Sequence, residues 1–149
     1  MLDATRCLSY LTIETKGPIP PEQRAGLGTH VYGCDICQEV CPYNDTAPVS
    51  TDPVWQPRAP LDRRRLGELW SRSDTDLRAA IRNGPMTRVR VKRLRRNLAV
   101  AIGNSGGIQA AAALGDAHAG DRLDAGSIGS PLVAEHVAWA RDLLGSSKG

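Results

Sequence analysis

Hydrophobic positions recur at helical spacing through the second half of the chain. Val91, Leu94, Leu98 and Ala101/Ile102 fall three and four residues apart, the period of one buried helix face, while Arg88, Lys92, Arg95 and Arg96 lie mostly off that stripe. Asn104-Ser105-Gly106-Gly107 closes this helix. Upstream, Asp62 is placed to cap a helix over Arg63–Trp70, and Ser73 with Asp76 forms a capping-box pattern that opens Thr75–Arg82, which Gly84-Pro85 ends. Downstream, Ile108–Leu114 reads as a short Ala-rich helix and Gly115–Gly129 as a loop rich in glycine and aspartate. Ser130-Pro131 then supplies an N-cap and first-turn proline for a last helix ending near Leu144, with Leu132, His136, Trp139 and Leu143 on one face.

The front of the chain is less regular. Leu8–Glu14 reads as a short extended segment, Gly17-Pro18-Ile19-Pro20-Pro21 as a turn, and Pro21 to Leu27 as a short helix stopped by Gly28. Between Asn44 and Pro60 the composition shifts to Asp, Thr, Ser and Pro, which marks a linker or ordered loop. Three units follow: residues 1–44, a Pro-rich linker over 45–60, and a helical module over 61–149. Paired helices with short connections, about one per 20 residues, predict a mainly α fold in which the last unit is a HEAT-like module.

Composition supports that class. Aromatic residues make up 4% of the chain and Phe is absent, so the core is built from Leu, Val, Ile and Ala, which suits packed helices better than a sandwich or barrel. No apolar stretch approaches the roughly 20 residues that a membrane span requires. The first ten residues, MLDATRCLSY, lack the basic and apolar regions of a secretory signal, and a cytoplasmic location is expected.

Charge is unevenly distributed. From Arg58 to Arg96 there are 13 basic residues against 4 acids, whereas the rest of the chain has 6 against 12. A clustered basic face attracts polyanions whatever the total charge. Six of the eleven residues from Met86 to Arg96 are basic, which makes Arg88, Arg90, Lys92, Arg93, Arg95 and Arg96 candidate phosphate contacts; Asn97 is placed either to bond a phosphate or to cap a turn. The alternative is a solvated charged face, but few local acids are present to neutralise it. His136 and Trp139 read as packing residues, and His118 has no evident role.

All four cysteines lie in the first 41 residues. Cys34, Cys37 and Cys41 form C-x2-C-x3-C followed by Pro42, a spacing that lets thiolates on a tight turn reach an iron-sulfur cube, with the Cys-Pro position suited to a neighbouring cluster. Zinc is the main alternative, with Cys7 or His30 as the extra ligand, and disulfides are a weaker one. Ligand counting leaves a deficit: four thiolates cannot complete two clusters. Either further cysteines come from upstream sequence or all four close on one cluster.

The segments LDATRCLSYLTIETKGPIP, YGCDICQEVCPYN and RRNLAVAIGNSG, in this order along residues 2–107, resemble the C-terminal part of epoxyqueuosine reductase. The resemblance implies a ferredoxin-like double 4Fe-4S segment followed by a HEAT-like module that helps to hold tRNA. It also implies an N-terminal cobalamin-binding domain and a C-x2-C-x2-C-x3-C-P motif that lie outside these residues, either in a longer chain or in a separately encoded partner. In that arrangement Cys7, Cys34 and Cys37 ligate one cluster together with an upstream cysteine, and Cys41 completes the other. Ser9 and the Cys34-Asp35 backbone would lie beside cobalamin, and Lys16 near the nucleic acid. Pro42-Tyr43-Asn44 departs from the family's usual Pro-Trp-Asn. The implied reaction is reduction of an epoxide to an alkene in queuosine biosynthesis, and the part represented here is not expected to catalyse it alone. A stand-alone iron-sulfur or zinc module that binds RNA without redox chemistry is the alternative.

Overall fold

The computed structural model describes residues 3–115 and 125–146. Among them there is no β-strand, in agreement with the mainly α class. The helices are α1 (Pro21–Arg24), α2 (Ile36–Glu39), α3 (Leu66–Trp70), α4 (Asp74–Ile81), α5 (Arg90–Ser105), α6 (Gly107–Gly115), α7 (Ala125–Ile128) and α8 (Pro131–Ser146). None is long and apolar enough to cross a membrane.

α5 is the central element. Its predicted stripe, Val91, Leu94, Leu98 and Ile102, packs into a core with Trp70, Leu77, Ile81, Leu114, Val133, Val137 and Leu144. The opposite side is covered as well, because Val100 joins Leu11, Ile19 and Leu27 in a second cluster contributed by the front of the chain. Every residue from Leu94 to Gly103 is therefore buried. α8 lies along α5 so closely that a Cβ built on Gly103 would come within 2.8 Å of Ala140 Cβ.

Several expectations are met. Ser73 accepts a hydrogen bond from Asp76 N–H and opens α4, and Gly106 and Gly107, at φ 69 and 83, end α5. Pro21–Arg24 continues into a tighter turn over Ala25–Leu27, and Gly28, at φ 53, stops it. Other expectations are corrected. Leu8–Glu14 is helical, with a wide turn over Tyr10–Glu14 closed by Thr15 N–H donating to Tyr10 O, because Leu11 is drawn into the core and Thr12 Oγ1 donates to Leu8 O at 2.7 Å. Asp62 does not cap α3: Arg63, at φ 49, interrupts the chain and the helix starts three residues later than expected, at Leu66. The loop expected over Gly115–Gly129 ends in the helical turn α7; its residues 116–124, His118 included, lie outside the described residues. The buried face of α8 is Val133, His136, Val137, Ala140 and Leu144, whereas Leu143 is exposed, because α5 meets α8 one position away from the expected stripe.

Candidate iron-sulfur segment and basic surface

The cysteine segment is tied together by hydroxyl groups. Ser9 Oγ accepts from Cys34 N–H at 2.9 Å and donates to Cys34 O at 3.1 Å, so one side chain grips both polar groups of that residue. Thr12 Oγ1 accepts from Gly33 N–H at 3.0 Å, one position earlier. Gly33, at φ 72, provides a turn that an L side chain would strain. These bonds dock the Cys34 loop onto the helical turn that begins just after Cys7. Beyond it, Asp35 O accepts from Gln38 and Glu39 N–H to start α2, which carries Cys37. Asn44 Nδ2 returns to Gln38 O at 2.7 Å and closes the loop around Cys41.

All four thiols are free; Cys7 and Cys37 are exposed, and Cys34 and Cys41 are partly so. The N–H groups of Tyr10 and Ser9 point at the Cys7 sulfur and hold its pKa below the ordinary thiol value, which favours the thiolate needed for ligation. Among the described residues, no three Cys, His, Asp or Glu side chains gather closely enough to enclose a single metal ion. A cube distributes its thiolates over separate iron corners, so its ligands need no such close gathering. Free thiols on linked turns, one of them biased toward its anion, fit a share of a cluster ligand set.

The basic helix is sorted by burial. Arg95 and Arg96 are both 0% exposed, contrary to their expected role as phosphate contacts. Arg95 Nε meets Asp74 at 3.1 Å while its other nitrogens donate to Trp70 O and Arg72 O, and its guanidinium lies over the Trp70 ring. Arg96 donates to Leu11 O at 2.9 Å, Thr15 O at 2.7 Å and Gly17 O at 2.6 Å. Burial, together with the Arg93 charge, lowers the Arg96 pKa to about 10. Asn97 is likewise buried and donates to Thr12 O at 2.7 Å and Val31 O at 2.8 Å. The physical reason for the correction is that buried carbonyls without helical partners need donors: Arg96 and Asn97 supply them at the front of the chain, and Arg95 supplies them at the end of α3. Arg93 is half-buried and donates to Ile13 O at 2.7 Å and to Arg88 O.

Arg88, Arg90, Lys92 and Lys16 remain exposed, Arg88 in an ion pair with Glu14. Two residues that the sequence reading passed over, Arg78 and Arg82, join Arg90 and Lys92 around a cavity of about 380 Å³. Their spacing of one helical turn was the available signal. His136, read as a packing residue, is buried: Nε2 accepts from Ile19 N–H at 3.1 Å and Nδ1 contacts Leu132 O at 2.7 Å.

Residues 1–44 match the family described as 4Fe-4S double cluster binding domain. Over 93% of its length the chain is 42% identical to the epoxyqueuosine reductases of Alicycliphilus denitrificans and Pseudomonas aeruginosa, and 37% identical to that of Escherichia coli. It spans 39%, 37% and 35% of those proteins, respectively. A solved structure of epoxyqueuosine reductase from Bacillus subtilis superimposes with a TM-score of 0.79 at 28% identity, covering 96% of this chain and 36% of that one. A crystal structure of epoxyqueuosine reductase with an epoxyqueuosine-modified tRNA stem loop gives the same TM-score and identity over 97% of this chain and 36% of that one. In sequence and in fold, this chain is a relative of the epoxyqueuosine reductases along nearly all of its length and corresponds to a little over a third of theirs.

Proposed function

We propose that the chain is the cluster-binding and RNA-facing part of a tRNA epoxyqueuosine reductase, the enzyme that reduces an epoxide to an alkene in queuosine biosynthesis. The observation that carries this reading is the Ser9 grip on Cys34, which fixes the Cys7 turn and the C-x2-C-x3-C loop to one another within a segment matched by a double-cluster family. A bound 4Fe-4S cluster supplies one-electron transfer. Cys7, Cys34 and Cys37 would hold one cluster with a thiolate from outside this chain, and Cys41 would complete a second. Ser9, Thr12 and Gly33 position the loop, and the Ser9 hydroxyl with the Cys34-Asp35 backbone faces the place of cobalamin. Lys16, Arg88, Arg90 and Lys92 form the surface offered to tRNA.

Anaerobic loading with iron and sulfide tests the metal half. The expected product absorbs broadly near about 400 nm and is bleached by dithionite, as thiolate-bound cubes are. A colourless protein that retains stoichiometric zinc instead would support the binding module without redox chemistry. Supplying the cobalamin-binding part of a relative in trans, together with epoxyqueuosine-containing tRNA, tests the activity. Turnover should then depend on Cys7, Cys34, Cys37 and Cys41.

A further inference from the structure

Arg78, Arg82, Arg90 and Lys92 converge on the cavity between α4, α5 and α7, whose walls also include Ile81, Thr87, Val91 and Ser127. No carboxylate lines it among the described residues. The other cations of the basic segment are largely engaged. Arg58, Arg64 and Arg72 donate to backbone carbonyls, and Arg65 and Arg88 meet carboxylates. Arg93, Arg95 and Arg96 hold the carbonyls and the carboxylate described above. Among the described residues, Arg63 and the four cations at the cavity are the basic side chains of Arg58–Arg96 that neither donate a hydrogen bond nor form an ion pair. Four unpaired cations around one concavity repel one another until an anion enters.

One of the four, Arg90, sits on a strained backbone. Its backbone, at φ 50 and ψ 149, adopts a conformation that L residues rarely tolerate, at the junction between the preceding turn and α5. Strain of this kind, which Arg63 and Asn83 share, persists only where the surrounding structure over-determines it.

We propose that this cavity seats a phosphate group, and that the group is a backbone phosphodiester of RNA laid across α4 and α5. Arginine forks match phosphate oxygens in pairs, and Arg78 and Arg82, one turn apart, line the same cavity as Arg90 and Lys92. The inference rests on the RNA-facing reading above. It adds Arg78 and Arg82 to that surface and gives the contact a defined seat.

The test titrates an RNA stem-loop onto the full chain by fluorescence anisotropy, from about 50 to 200 mM salt, with R78Q, R82Q and, as a control outside the cavity, R63Q. Arg78 and Arg82 are exposed, so their variants should keep the unsubstituted circular dichroism spectrum and melting temperature. Each should weaken binding several-fold and lower the slope of log K against log salt by about 1, with R63Q unchanged. Identical affinities and slopes for R78Q, R82Q and R63Q would overturn the proposal. A second arm follows inorganic phosphate by phosphorus NMR. Phosphate uptake that R78Q and R82Q abolish while RNA binding is untouched would mark a free-phosphate site and overturn the RNA source. If the unsubstituted chain takes up phosphate through these arginines but binds no RNA, the RNA-facing reading fails and the phosphate chemistry of the cavity stands. If it takes up neither, both fall.

Discussion

Ser9 holds Cys34 by both of its backbone groups, accepting from the N–H at 2.9 Å and donating to the carbonyl at 3.1 Å. A residue 25 positions away thus fixes the first cysteine of the C-x2-C-x3-C loop, and Thr12 holds the glycine before it. These bonds tie the loop to the turn that follows Cys7.

Ser9→Ala removes both bonds and should cost about 1–2 kcal/mol at this partly exposed site. The larger effect is expected on the metal site, where iron content after reconstitution should fall and the oxidised cluster's absorbance should bleach faster in air. Iron content and bleaching rate equal to those of the unsubstituted protein would show that the loop holds its shape without the hydroxyl.

The two buried arginines of α5 should behave unlike their exposed neighbours. Arg96→Met leaves the carbonyls of Leu11, Thr15 and Gly17 without these donors and should destabilise by about 3 kcal/mol or more, measured by urea unfolding. Arg96→Lys restores the charge but not the fork, and only part of the loss should return. Lys92→Gln, on the exposed side, should leave stability within about 0.5 kcal/mol.

His136 should make stability depend on pH. Burial lowers its folded pKa to about 4, against about 6.5 when unfolded, and Nε2 must stay unprotonated to accept from Ile19 N–H. Between those values the unfolded chain binds a proton that the folded chain does not. Stability should therefore fall as pH drops through this window, by about 3 kcal/mol in all, and hold steady above it. Urea midpoints from pH 7 to 4 for the unsubstituted protein and His136→Gln check this, the variant giving the flatter profile.

Gly103→Ala should destabilise even though alanine is the better helix former. The added methyl would lie 2.8 Å from Ala140 Cβ and 3.0 Å from Ala140 Cα. Overpacking of this kind costs about 1–3 kcal/mol, more than the roughly 1 kcal/mol gained in helix propensity. In a double-mutant cycle, Ala140→Gly should recover part of the loss, and simple additivity would show that the two helices do not meet there.

Arg90→Gly should separate strain from binding. Glycine adopts φ 50 and ψ 149 without a Cβ clash, so the melting temperature should rise, by the equivalent of about 1 kcal/mol. RNA affinity should fall in the same variant because the cavity loses a cation. A lower melting temperature would mean that the Arg90 side chain supports the fold.

The sequence by itself determined the features that local chemistry decides. The C-x2-C-x3-C-P spacing, the Ser73 cap, the glycine stops after Leu27 and Ser105, and the stripe on α5 all depend on residues within a turn or two of each other, and the structure contains each of them. Tertiary structure decided the fate of the charges and of the Leu8–Glu14 segment. An arginine off a helix stripe is written the same way whether it faces water or a carbonyl, and the carbonyls that engaged Arg96 lie about 80 residues away. Once the front of the chain covers the second side of α5, burying those unpaired carbonyls requires donors, so Arg96 and Asn97 became parts of the core, as Arg95 did against the end of α3. Four of the cations left without such partners, Arg78, Arg82, Arg90 and Lys92, come to one cavity only through the packing of α4 against α5.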